Sequence, residues 1–301
     1  MRINLKTSAC ALLVMGCQSL LGQAPSPPAS PPPEAAPESE EAQDEASPFH
    51  ITLGVDVTNA YFGRGIFQED RAAILQPFLE ADFTLLEEDD FSLAITAGLW
   101  NSLHRMQVGN TADQVFLTRL YEHDWSAGFR VSLDRWTADL SWLSATTTPG
   151  GGSTTNEIDL AIAFDDTENT GTWSLQPQIL FGMEMGPAAG DGGRNGLYCE
   201  LGVAPSYTFA DGFLQDCTLS FPTSVGLSLA NYYESPSGRN DVFGWASIGA
   251  MLDIPLLADP SFCCVNMSLG AHALWLGPAA REFNSGEGLE CILCAGLTIS
   301  F

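Results

Sequence analysis

The last thirteen residues of the chain alternate from end to end. Leu289, Cys291, Leu293, Ala295, Leu297, Ile299 and Phe301 are apolar, whereas Glu290, Ile292, Cys294, Gly296, Thr298 and Ser300 are mostly small or polar. A period of two puts one set of side chains on each face of a β-strand. A strand of this length can cross a bilayer at a tilt. It also closes on an aromatic residue. The pattern therefore constrains the fold strongly, because a soluble sheet seldom needs a strand so long and so strict.

The same alternation starts at Phe49 and recurs to the end. It predicts strands near 51–57, 75–85, 91–99, 127–133, 136–142, 158–164, 173–183, 197–209, 219–229, 242–252, 265–275 and 289–301. Twelve is an even number, as single-chain bacterial barrels require. The connections alternate in length: 87–90, 134–135, 166–170, 211–216 and 255–261 are short, while 104–112, 147–154, 185–195, 232–240 and 277–288 are longer. Short turns on one side and long loops on the other are the asymmetry of an outer-membrane barrel. The fold class expected is thus all-β, an antiparallel transmembrane β-barrel spanning 49–301. Interface aromatics fit this, with Phe49, Phe91, Trp136, Trp173, Phe209 and Phe301 expected at the inner rim. Tyr61, Trp142 and Trp275 are expected at the outer rim.

Composition narrows the function. Beyond the leader no apolar run is long enough for a helical span. The formal net charge is −26 and Lys6 is the sole lysine, so no basic stripe is available for nucleic acid. Any charge preference favours cations.

Residues 1–17 read as an export signal, with Arg2 and Lys6 before an apolar core over 9–15. Val14-Met15-Gly16-Cys17 matches a lipobox and makes Cys17 a lipidation candidate; cleavage after Ala24 is the alternative. Residues 18–48 are rich in Pro and Glu, a composition that cannot bury a core and predicts a disordered tether. The cysteines suggest no framework: Cys291 and Cys294 fall on opposite faces of one strand, so neither a metal nor a redox pair is expected.

With the apolar face outward, the lumen receives Asp56, Glu80, Asp82, Asp139, Glu157, Asp159, Glu184, Glu200 and His272, with Arg130 and Arg64 adding positive charge. Such an interior suits an open channel, and equally a plugged barrel whose buried polar groups pair with one another. The segment Tyr61-Phe62-Gly63-Arg64-Gly65-Ile66-Phe67-Gln68 stands out, because its glycines permit a sharp bend after the first strand. Arg64 could then turn inward, to pair with Asp56 or Glu80 or to meet a solute.

This stretch resembles the TorF-type porin family, exported proteins whose N-terminal strand carries an aromatic-x-x-Arg-Gly-x-x-Gln motif. The match runs over VDVTNAYFGRGIFQ (55–68) and continues into Gln76-Pro77; past Leu103 only the strand rhythm agrees. The Pro/Glu tether and the lipobox depart from that family. The resemblance implies a barrel with a transport role and carries over no catalytic residue.

Three functions remain on the sequence. The first is a channel for passive diffusion of small polar or cationic solutes, with outer-membrane lipids and, through the strand ending in Phe301, the barrel-assembly machinery as partners. The second is a plugged structural or adhesin-type barrel. The third is an outer-membrane lipid hydrolase with a Ser-His pair. His272 and Ser268 share a face but lie four residues apart, too far for a direct bond. Neither a Gly-x-Ser-x-Gly elbow nor an HExxH motif occurs. No enzyme activity, cofactor or metal is expected.

Overall fold

The computed structural model describes residues 47–70, 73–105, 118–148, 153–167, 173–186, 194–259 and 263–301. The expected export signal, the lipidation candidate Cys17 and the expected tether as far as residue 46 lie outside these residues. So do the glycine-rich stretches 150–152 and 191–193 of the longer connections.

The predicted alternation becomes strand pairing. In chain order the strands are β1 (Phe49–Thr58), β2 (Tyr61–Gly63), β3 (Ile66–Glu69), β4 (Ile74–Glu88), β5 (Phe91–Arg105) and β6 (Thr118–Leu133). Next come β7 (Trp136–Thr147), β8 (Ser153–Phe164), β9 (Trp173–Ser174), β10 (Gln178–Met185), β11 (Leu197–Val203) and β12 (Ser206–Thr208). The last are β13 (Thr218–Ser220), β14 (Thr223–Ala230), β15 (Phe243–Asp259), β16 (Cys263–Leu276) and β17 (Leu289–Ser300), with a short helix α1 (Pro278–Phe283) before β17. Every pairing is antiparallel. β1 pairs with β4 on one side and with β17 on the other, Leu53 lying between Leu79 and Ile299, so the sheet closes.

Counted as staves the barrel has twelve, because three of them are interrupted. β9 and β10 form one stave, β11 and β12 the next, and β13 and β14 the third. Each pair was expected as one continuous strand. The breaks fall at Pro177, Pro205 and Pro222, where the missing N–H removes a ladder bond. The carbonyls still serve: Pro177 O accepts from Phe164 N, Pro205 O from Phe221 N and Pro222 O from Gly249 N. Elsewhere the strands outrun their hydrophobic stretch. β5 reaches Arg105, β6 begins at Thr118, and β15 continues through a bulge at Pro255 to Asp259.

The outer wall is apolar. Leu79, Ile95, Phe129, Leu140, Leu160, Leu201, Leu269 and Leu297 all face out and are exposed. A closed barrel leaves no unpaired edge, and such a belt faces lipid, which is the architecture of an outer-membrane protein. Phe49, Trp136, Trp173 and Phe301 are exposed near one rim, and Trp142 and Trp275 toward the other. Tyr61 corrects the expected outer girdle. It is buried inside the barrel, because the chain after β1 turns into the lumen and does not continue up the wall. Leu140 sits between Phe129 and Leu160 in the belt, so Leu140→Arg is expected to destabilise the folded barrel by up to about 2–4 kcal/mol. Urea titration of the protein refolded in lipid vesicles would measure it, and an unchanged midpoint would refute the lipid-facing assignment.

The lumen holds an inner layer. β2 and β3 form a hairpin, and Phe62 and Ile66 on it are buried against Tyr198 of β11, Leu180 of β10 and Trp245 of β15. Residues of the β14–β15 connection, Tyr232 and Tyr233, and Ala279 and Ala280 of α1 complete this apolar cluster. The main hydrophobic core is therefore inside the barrel, between the hairpin and one side of the wall.

Candidate functional site

The hairpin owes its shape to two residues at its tip. Arg64 (φ 46°) and Gly65 (φ 80°) both take positive φ, the combination that makes a tight two-residue hairpin turn. A Cβ on Gly65 would lie 2.3 Å from Cδ1 of Trp245, so the turn sits directly on the indole ring. The same ring occupies the space above Gly226, where a Cβ would lie 2.1 Å from its Nε1. Trp245 is fully buried, wedged between two glycines.

Arg64 carries the electrostatics of the tip. Its guanidinium pairs with Glu157 through Nη1 and with both oxygens of Asp159 through Nη2, at 3.2 and 3.0 Å. It lies over the Tyr198 ring at 4.7 Å, a cation–π contact. Its own carbonyl accepts from the Tyr233 hydroxyl at 2.9 Å. The expected partners, Asp56 and Glu80, are thus replaced by two β8 carboxylates. The reason is reach: the hairpin tip crosses the lumen and leaves the strands that flank it in sequence. Gly182 on β10 allows the approach, since a Cβ there would lie 2.6 Å from the Arg64 Nη1.

At its other end the hairpin is tied to β6. Tyr61 donates to Oε2 of Glu122 at 2.8 Å, and Tyr121 donates to Gln68. Burial first, and then the charges of Glu122 and Asp124, push the Tyr61 phenol well above its ordinary pKa, so it remains a donor at any physiological pH.

The remaining lumen candidates all point inward, but they do not form one site. Arg130 bonds Asp82 and Asp139, at 2.8 Å each, in a half-buried triad on β4, β6 and β7. Glu184 accepts from the Gly196 N–H at 2.7 Å, and Glu200 from the Tyr198 hydroxyl at 2.8 Å. His272 is buried on β16 against Gly249, with no hydrogen bond at either ring nitrogen among the described residues. Asp56, Glu80, Arg64 and Glu157, by contrast, meet at a common space.

That space is a cavity of about 290 Å³ between the hairpin and the β4–β8 side of the wall. Its acidic lining comprises Asp56, Glu80, Glu122, Asp124 and Glu157, and its aromatic lining Tyr61, Phe78, Trp100, Tyr121 and Tyr232. It extends toward the outer rim at Thr147 and Ser153, which face each other at the end of the β7–β8 pair. Glu122, Asp124 and Trp100 escape a sequence reading that ends the third strand at Leu99 and begins the fourth at Ala127. The signal was present: Glu122 and Asp124 keep the even, inward parity of Arg130 on the same strand.

A Ser-His pair also exists, although not where it was sought. Ser102 Oγ and His104 Nε2 on β5 are 2.8 Å apart, and His104 stacks on Tyr121 with ring centroids 4.0 Å apart. Both side chains face the lumen and Ser102 is completely buried. Neither one reaches lipid.

No family model matches the chain, and no curated protein matches it in sequence. Solved structures similar in outline include an outer-membrane channel from Pseudomonas putida F1 at 12% identity, covering 89% of this chain and 100% of that one, with a TM-score of 0.49. The β-domain of the Bordetella autotransporter BrkA gives 11% identity, coverage of 84% and 99% and a TM-score of 0.44. LpxR from Salmonella typhimurium gives 12% identity, coverage of 83% and 99% and a TM-score of 0.43. These proteins differ in function among themselves, and likeness at this level assigns none of their activities to this chain.

Proposed function

We propose that the protein is a channel of the outer membrane that passes small cationic solutes through a lumen narrowed by its first outer loop. The observation that carries this reading is the lopsided seat of the hairpin. It packs tightly against β10, β11 and β15, and leaves an acidic cavity of about 290 Å³ against β4–β8. A hairpin serving only as a plug would be expected to fill both sides of the lumen with packed side chains. The motif by which the hairpin resembles the TorF-type family points the same way. Carboxylates along a narrow passage raise the local concentration of cations and repel anions. The Arg130–Asp82–Asp139 triad holds one positive charge against two negative ones, so it adds to this preference.

Single-channel recording of the refolded protein in a planar bilayer, in a KCl gradient, tests the proposal. Discrete steps with a cation-selective reversal potential are expected. A folded barrel that conducts no current would overturn it and leave the plugged barrel. Replacing Glu80 by Gln together with Asp82 by Asn is expected to move the reversal potential toward zero, and an unmoved potential would take these two residues out of the ion path.

A further inference from the structure

Two carboxylates in the cavity each leave one oxygen without a protein partner among the described residues. Oδ1 of Asp56 and Oδ1 of Asp124 are buried and accept no hydrogen bond among the described residues. The two residues are 2% and 9% exposed, and both line the cavity. A buried carboxylate oxygen without a donor is costly, and such groups are kept where a ligand completes them. Arg64, the sole cation lining the cavity among the described residues, is already engaged by Glu157 and Asp159. A ligand that neutralises both Asp56 and Asp124 therefore has to bring its own positive charge.

The wall between the two carboxylates is aromatic. In register, Asp124 on β6 faces Trp100 on β5, and Trp100 faces Phe78 on β4. Asp56 on β1 faces Gln76, two residues from Phe78 on the same strand. The sequence of surfaces is thus acid, aromatic, aromatic, acid. With β4 and β5 intervening, the separation is on the order of 10–15 Å at the usual strand spacing. An aromatic floor accepts methylene groups and attracts ammonium groups. From this geometry we infer that the cavity binds linear aliphatic polyamines, one ammonium at Asp124, another at Asp56, and the methylene chain over Trp100 and Phe78. The inference deepens the channel reading by naming the class of cation that pauses in the lumen, and its test separates the two.

Titration calorimetry on the folded protein in detergent, with spermidine, putrescine and butylamine as probes, supplies that test. Spermidine spans the two carboxylates better than putrescine, and butylamine has a single charge. Spermidine is expected to bind about ten-fold or more tighter than butylamine, with putrescine between them. Asp56→Asn and Asp124→Asn should each weaken spermidine by about ten-fold, and Glu87→Gln at the exposed end of β4 should not. Variants are first shown to fold by the mobility difference between heated and unheated samples. Equal affinity for spermidine and butylamine would overturn the inference, as would folded Asp variants that bind spermidine as tightly as the parent. A protein that binds spermidine in this pattern but carries no current keeps this site and loses the channel. A conducting barrel indifferent to amine length and to both Asp substitutions keeps the channel and loses the site.

Discussion

Replacing Arg64 by Ala is expected to raise the single-channel conductance several-fold. The guanidinium is the main polar anchor of the hairpin tip, bonded to Glu157 and Asp159 and stacked over Tyr198. Without it two carboxylates, 7% and 4% exposed, stand side by side on β8 with no counter-charge from the hairpin. Removing one partner of a buried ion pair costs about 3–5 kcal/mol. The staves do not bear that loss, because their ladder of hydrogen bonds closes on itself independently of the hairpin. The hairpin bears it, and it has somewhere to go: out of the lumen and into water. Arg64→Lys keeps the charge but not the fork that meets both oxygens of Asp159, so an intermediate conductance is expected. Bilayer recordings of the folded variants decide the matter. Steps of wild-type size from Arg64→Ala would show that the hairpin stays seated without its anchor.

A second substitution reaches the same element by sterics. Gly65→Val puts a branched Cβ at a backbone with φ 80°, which β-branched residues rarely adopt, and 2.3 Å from the Trp245 ring. The ring cannot yield toward Gly226, where it already sits closer than any Cβ would allow. Overpacking combined with backbone strain typically costs several kcal/mol, on the order of 3 or more, and again the hairpin is the part free to move. The readout is proteolysis from the outer face. Arg64 is 5% exposed in the parent, so trypsin should leave the bond after it intact. Gly65→Val should be cut there, as mass spectrometry of the peptides would show. Continued protection of that bond would mean that Trp245 and the tip can rearrange in place. The two variants are complementary, since one removes an attraction and the other adds a repulsion. If only one of them released the hairpin, the seat would rest on charge alone or on shape alone.

Both predictions depend on elements that differ in how far the sequence reveals them. The staves were legible because each has an inside and an outside. Along β17, Leu293, Leu297 and Phe301 go to lipid and Ile292, Cys294 and Thr298 to the lumen, and the chain records that choice residue by residue. The inward parity of Asp56, Glu80, Asp82, Arg130, Asp139, Asp159, Glu184, Glu200 and His272 follows from the same rule. The upper ends of β5 and β6 were not legible. Trp100, Ser102, Glu122 and Asp124 keep the inward parity, but the outward positions Asn101 and His123 between them are polar, so a contrast of apolar and polar faces no longer marks the strand. The breaks at Pro177, Pro205 and Pro222 were visible as residues, yet their alignment across three neighbouring staves depends on register.

By itself, then, the sequence determined the number of staves, their facing, the side on which long loops emerge and the acidic character of the interior. All of these are written in a period of two and in the spacing between runs, which are local properties. Only the tertiary structure decided that Tyr61–Gln68 lies within the lumen, that Arg64 meets Glu157 and Asp159 and not Asp56 or Glu80, and that Asp56 and Asp124 share one cavity across an aromatic wall. Those partners are separated by up to 95 residues in the chain and come together through the curvature of the closed sheet. Which inward residues face each other across the lumen is set by stave order and register around the whole ring, and no local pattern of apolar and polar residues encodes it.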